Sequence, residues 1–234
     1  MSTGIQYVDV ASRSIHVGFD DAKLAGDLVV PGRASGVVLF VHGSGSSRHS
    51  PRNRAVAETL QRAGLATLMF DLLTLREEAD DIQTGQYRFN IPLLASRIGA
   101  VTRWLHNDAD TRLLSVGYFG ASTGAAAALV AAAMTPADVK AVVSRGGRPD
   151  LAGEALAKVT APTLLIVGGA DIPVVDLNDQ AMVCLNCTKD LRVVQGATHL
   201  FQEHGALEQV AHLARDWFAR YLAPPKGTES ISRA

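Results

Sequence analysis

From Gly36 onward the chain alternates short, solidly apolar runs with longer amphipathic stretches, and this alternation limits its possible folds most severely. A strand that is apolar throughout must be covered on both faces, and a parallel sheet crossed by helices provides that cover. Strands are predicted over residues 36–41, 65–70, 113–118, 140–144, 163–167 and 191–194. Helices are predicted over residues 53–62, 91–106, 123–134, 150–158, 176–183 and 206–222. This order predicts an α/β chain with an open, mostly parallel sheet and helices on both faces. Ahead of it, residues 14–19 and 23–30 alternate in polarity around Asp20-Asp21, which predicts an antiparallel hairpin at the sheet edge.

With 234 residues, 47% of them hydrophobic, the chain is long enough to bury a large core. Residues 1–223 are expected to form one domain, and residues 224–234 to be a disordered tail. The last helix offers Leu207, Val210, Leu213, Ala214, Trp217 and Phe218 as one apolar face, with both aromatic residues expected in the core. Only about 18 residues separate the fourth and fifth strands of the parallel series, too few for a substantial cap domain.

Basic and acidic side chains nearly balance, at 22 against 23, and no basic patch suits a nucleic-acid backbone. The mixed-sign run Arg76, Glu77, Glu78, Asp80 and Asp81 is expected to be a solvated loop or helix face. Residues 1–6 are polar, unlike a signal peptide, and no apolar run approaches the ~20 residues of a membrane span. A cytoplasmic location without membrane association is therefore expected. Cys184 and Cys187 form one CxxC pair, but late in the chain and before a strand. Redox and zinc sites require other settings, so both are expected to be ordinary cysteines.

Chemistry is concentrated at Gly120-Ala121-Ser122-Thr123-Gly124, between an apolar strand and an alanine-rich helix. A GxSxG at that junction makes a nucleophile elbow, a sharp turn that lifts the serine hydroxyl off the strand end. The alternative for Ser122 is a helix-capping serine. A serine hydroxyl needs a base and an orienter for that base, here in the chain order serine, acid, histidine. His199 follows the last strand and is the expected base, with His204 and His212 as weaker rivals. Asp171, after Gly168-Gly169, is the expected acid, and Asp176, which could instead cap a helix, is its rival. Backbone donors for an oxyanion are expected from Thr123 and from Ser44 in the turn His42-Gly43-Ser44-Gly45-Ser46-Ser47. His42 is expected to hold that turn. The turn lacks the Lys-Ser/Thr ending of a phosphate-binding loop, and no GxGxxG appears. Arg145 either binds a substrate carboxylate or phosphate, or pins the Asp150 loop by a salt bridge. Asp71 and the stretch from Leu72 to Phe89 are expected at the rim.

The His42-Gly43 turn, the GxSxG, the Gly-Gly-Ala-Asp segment and the Gly-Ala-Thr-His segment together resemble the α/β-hydrolase superfamily, within it the dienelactone-hydrolase-like branch. The resemblance implies Ser122 as nucleophile, Asp171 as orienter, His199 as base, and Ser44 with Thr123 as the oxyanion hole. Dienelactone hydrolases proper use a cysteine nucleophile where this chain has serine, so their specific activity is not carried over. The Gly-Ala-Ser-Thr-Gly-Ala-Ala-Ala-Ala stretch also resembles small hydrolases fused to phosphoribosyltransferase domains, and no such domain is expected in this sequence.

These readings converge on a serine hydrolase cleaving carboxylic esters of small or accessible substrates through an acyl-enzyme, with no metal or organic cofactor implied. A thioester, lactone or amide would suit the same triad, as would a C–C bond. A non-catalytic ligand-binding or interaction protein on a hydrolase scaffold is the alternative of another class. A homo-oligomer is possible, with no sequence feature that supports it.

Overall fold

A computed structural model describes residues 10–223. Eight strands form one sheet: β1 (Val10–Phe19), β2 (Ala22–Pro31), β3 (Val37–Val41), β4 (Ala66–Phe70), β5 (Val116–Ala121), β6 (Val139–Arg145), β7 (Thr163–Gly168) and β8 (Lys189–Val194). Their order across the sheet is β1-β2-β4-β3-β5-β6-β7-β8. The hairpin β1–β2 lies at one edge and pairs antiparallel to β4, and all later neighbours run parallel. This is the expected mostly parallel α/β sheet. It has the α/β-hydrolase fold.

Strand side chains alternate between the two faces, and the helices divide accordingly. Val37, Leu39 and Val41 pack with α3 (Ile91–Asn107) and α4 (Thr123–Met134). Val38 and Phe40 pack with α1 (Pro51–Arg62) and α6 (Ala206–Leu222) on the opposite face. β3 connects through α1 to β4 on one side, and the chain then returns through α2 (Leu75–Thr84) and α3 to β5 on the other. The order therefore reverses at β3, and the crevice beyond the C-terminal ends of β3 and β5 is where such sheets take ligands.

Several boundaries differ from the sequence expectation. β5 begins at Val116 and not at Leu113, whose side chain is 89% exposed. The preceding turn is instead fastened by Thr111, whose hydroxyl donates to Leu105 O at 2.7 Å. α5 spans Ile172–Cys184, starting four residues before the expected point, because Pro173 suits a first helical turn. The short helix after β6 is a 3-10 segment, Pro149–Lys158, kinked at Gly153 with φ 52°. On α6, Val210, Ala214, Phe218 and Leu222 are buried, whereas Leu207, Leu213 and Trp217 are only partly so. Trp217 is partly buried on the helix flank, where its indole N–H donates to Pro162 O at 3.2 Å. Cys184 is exposed at the end of α5 and Cys187 is partly buried, both free. The tail expected to be disordered, residues 224–234, lies outside the described residues. Among the described residues no helix is long and apolar enough to cross a membrane.

Candidate active site

The turn that carries Ser122 is built by what its neighbours lack. Ser122 sits between β5 and α4 with φ 51° and ψ −125°, a backbone state that L side chains rarely adopt. An added Cβ on Gly124 would stand 2.3 Å from His42 O, and one on Gly120 would stand 2.5 Å from Ala125 Cα. Only glycine at both positions lets α4 pack this closely on the ends of β3 and β5. The strained serine is held by its own amide, which donates to Arg145 O at 3.2 Å.

The loops after β7 and β8 bring two further side chains to it. His199 Nδ1 lies 2.7 Å from Asp171 Oδ2, and His199 Nε2 lies 3.3 Å from Ser122 Oγ. With the Nδ1 proton donated to the carboxylate, the Nε2 lone pair faces the serine hydroxyl. Three strand ends thus bring a hydroxyl, an imidazole and a carboxylate into successive contact. The rivals stand apart: Asp176 is exposed within α5, His204 is exposed before α6, and His212 is exposed on α6.

The two residues expected to supply oxyanion donors, Ser44 and Thr123, make one unexpected contact. Thr123 is the first residue of α4, so its amide has no partner in a preceding turn and stands at the positive end of the helix dipole. The Ser44 amide, in the turn after β3, donates to Thr123 Oγ1 at 3.0 Å, and the two hydroxyls are 2.9 Å apart. The Ser44 N–H therefore meets an incoming oxygen only if the threonine hydroxyl turns aside. His42 is buried, its Nε2 accepts from the Leu72 N–H at 3.0 Å, and its Nδ1 faces Gly43 O at 2.9 Å. Burial lowers its pKa, so the ring is a neutral strut for the turn, as expected.

Arg145 is buried and does not make the salt bridge to Asp150 expected as one of its two roles. The salt bridge to Asp150 is made by Arg148, at 2.7 Å. Arg145 itself is 7% exposed, donates to Asn53 Oδ1 of α1 at 3.3 Å, and lies over the Phe201 ring. Burial, and then repulsion from Arg52, push its pKa down to about 10. As the last residue of its strand it has the parity that points toward α1 and α6, not toward the serine.

Two features were missed in the sequence. The charged run 76–81 is only partly solvated. Glu77 caps α2 through Thr74 and accepts from the buried Arg97 at 2.9 Å. Burial opposes ionisation of Asp81, yet the amides of Arg88 and Tyr87 and the Arg88 guanidinium outweigh it and keep its pKa low. These ties hold α2 over a cavity of about 90 Å3 beside Thr123 and Ser44, with Leu72, Ile82 and Leu94 as its apolar lining. The spacing of Glu78, Asp81 and Ile82, which places them on one helix face, was the available signal. Among the described residues no cluster of three or more His, Cys, Asp or Glu could hold a metal ion.

The family model for the dienelactone hydrolase family matches residues 24–223. The chain belongs to the dienelactone hydrolase family. A crystal structure of a dienelactone hydrolase from Anabaena variabilis is 58% identical, with a TM-score of 0.89, covering 91% of this chain and 99% of that one. Two Mycobacterium tuberculosis proteins bearing the name of a candidate phosphoribosyl transferase are 59% identical over 202 residues, 86% of this chain. The chain spans 45% of their length. Est1E from Butyrivibrio proteoclasticus, 18% identical with a TM-score of 0.73 over 88% of this chain and 98% of that one, shares the fold.

Proposed function

We propose that this protein is a serine hydrolase that cleaves carboxylic esters through an acyl-enzyme on Ser122. The observation that carries this reading is the continuous contact from Asp171 through His199 to Ser122, at 2.7 and 3.3 Å. His199 accepts the serine proton as Oγ attacks the carbonyl, and Asp171 holds the ring in the required tautomer and stabilises the imidazolium. The protonated His199 then gives its proton to the departing alkoxide. A water deprotonated by the same ring releases the acid. The Thr123 amide, and the Ser44 amide once Thr123 Oγ1 moves, receive the charge that develops on the carbonyl oxygen.

Membership of a hydrolase family supports the chemistry, and the serine supports an oxygen nucleophile in place of a thiolate. Leaving groups other than alkoxide fit the same residues, which makes thioesters, lactones and amides the neighbouring substrates. A small or accessible ester is the preferred class, because no large cap stands over the described strand ends. A second reading, a binding protein on a hydrolase scaffold, lacks a reason for the strained Ser122 backbone, which costs about 1–3 kcal/mol.

The test is turnover of p-nitrophenyl esters, beside acyl-thioester and lactone substrates, by wild type and Ser122→Ala. Ester hydrolysis that falls by several orders of magnitude in the variant is expected. Equal rates for the two proteins, or no turnover of any ester, would overturn the proposal.

A further inference from the structure

The cavity under α2 touches only one side of the candidate site. Gly43, Ser44 and Thr123 border it, and none of Ser122, His199 and Asp171 is among the residues that line it, although Gly43 packs directly against Ser122. Acyl transfer fixes what each side must hold. The leaving group has to lie within reach of the imidazole that protonates it, and the carbonyl oxygen has to face the amides. The remaining substituent on the carbonyl carbon is the acyl chain, and the cavity beside Ser44 and Thr123, which His199 does not line, offers it space.

We infer that this cavity is the acyl-chain pocket, that it takes a neutral, apolar chain of up to about six carbons, and that Ile82 sets the limit. The inference rests on the serine-esterase reading and adds the substrate class to it. A volume of about 90 Å3 has room for roughly six to nine water-sized groups. Leu72 and Leu94 form buried walls, and Ile82, 75% exposed on α2, stands at the mouth.

Charge in the lining argues for neutrality. Asp71 accepts from the Arg48 amide at 2.7 Å and pairs with its guanidinium, and Asp81 pairs with Arg88 at 2.6 Å. Arg88, the arginine that borders the cavity, is thus already engaged. His42 is neutral by burial. The Glu78 carboxylate makes the lining unfavourable to an anionic chain. The wall is also firm. The Thr74–Glu77 capping box and the bonds from Arg97 to Glu77 and to Leu72 O fasten the start of α2, so Ile82 is set at a fixed place.

The experiment measures kcat/KM for p-nitrophenyl acetate, butanoate, hexanoate and decanoate, and for the p-nitrophenyl ester of succinic acid, with wild type, Ile82→Trp and Ile82→Ala. Wild type is expected to improve from acetate to hexanoate, to fall by decanoate, and to prefer butanoate over the anionic succinyl ester at least tenfold. Ile82→Trp is expected to cut hexanoate at least tenfold while acetate stays within twofold, and Ile82→Ala to move the optimum toward longer chains. Ile82 is exposed, so both variants should melt near wild type.

A flat acyl series, equal losses on every ester with Ile82→Trp, or preference for the succinyl ester would overturn the pocket while leaving the esterase reading standing. A panel of acetate esters with leaving groups of different size should respond equally in all three proteins. If Ile82→Trp discriminates among those instead, the cavity holds the leaving group and the inference fails. Absence of turnover on every ester would overturn the esterase reading, and the pocket with it.

Discussion

Replacing Gly124 by alanine tests whether the close fit of α4 on the end of β3 serves the chemistry or only the fold. The new Cβ would stand 2.3 Å from His42 O and 2.4 Å from Val41 O, both backbone atoms, where real Cβ contacts respect 3.0 Å. The two segments must therefore part by about 0.7 Å, the difference between those distances. Alanine gains about 1 kcal/mol over glycine in helix propensity. Forced contact with backbone typically costs about 1–3 kcal/mol, so the net change is destabilising, by up to ~2 kcal/mol. For a chain of this size that lowers Tm by about 4–8 °C. Displacement matters more for rate than for stability, because β3 leads into the Ser44 turn and α4 begins with Thr123. A misplacement near 1 Å costs on the order of 10²-fold in rate. Thermal melting, with kcat measured at 25 °C on the folded variant, is expected to give a modest Tm loss and a fall in kcat of that order. A raised Tm with kcat within twofold of wild type would refute the reasoning and show that alanine is accommodated as a simple helix former.

Asp171→Asn is expected to lower kcat by about 10⁴-fold, because an amide favours the wrong imidazole tautomer, while Asp176→Asn leaves it unchanged. The reverse pattern in steady-state kinetics would move the acid to Asp176. Thr123→Val is expected to raise kcat/KM several-fold by freeing the Ser44 amide from the threonine hydroxyl. A fall of ~10²-fold would show instead that the hydroxyl itself meets the oxyanion. Burial lowers the His42 pKa in the folded state, so the unfolded chain binds more protons below its ordinary value of 6.5. Its contribution to stability is then complete above pH 6.5 and is lost as pH falls toward the depressed value. Urea midpoints between pH 7 and pH 5.5 should decline less steeply in His42→Gln, and equal slopes would contradict this.

Much of the architecture was legible because solid apolar runs leave a strand few options. β3, β4, β6 and β7 must be covered on both faces, and the helices that cover them had to lie between them in the chain. The meeting of Ser122, His199 and Asp171 was legible for a related reason, since a strand end followed by a small-residue turn is where a side chain can face the crevice. The errors have physical causes as well. Leu113 is apolar but lies in a turn fastened by Thr111, which periodicity does not register. Charge alone did not reveal that Glu77 and Asp81 are engaged, because their partners Arg97 and Arg88 are 20 and 7 residues away. Arg145 and Arg148 both follow the same apolar run, and only the burial of the first separates their roles. The cavity under α2 needs the Ser44 turn, Leu72, α2, Leu94 of α3 and Thr123 of α4 to meet, and no local pattern specifies that meeting.

The central claim is that Ser122 is an activated nucleophile, and site mapping of covalent modification tests it most directly. Treatment with a fluorophosphonate, followed by intact-mass measurement and peptide mapping, is expected to give one adduct, on Ser122, absent from Ser122→Ala and slowed greatly in His199→Ala. An unmodified wild-type protein, or an adduct on another residue, would contradict the account.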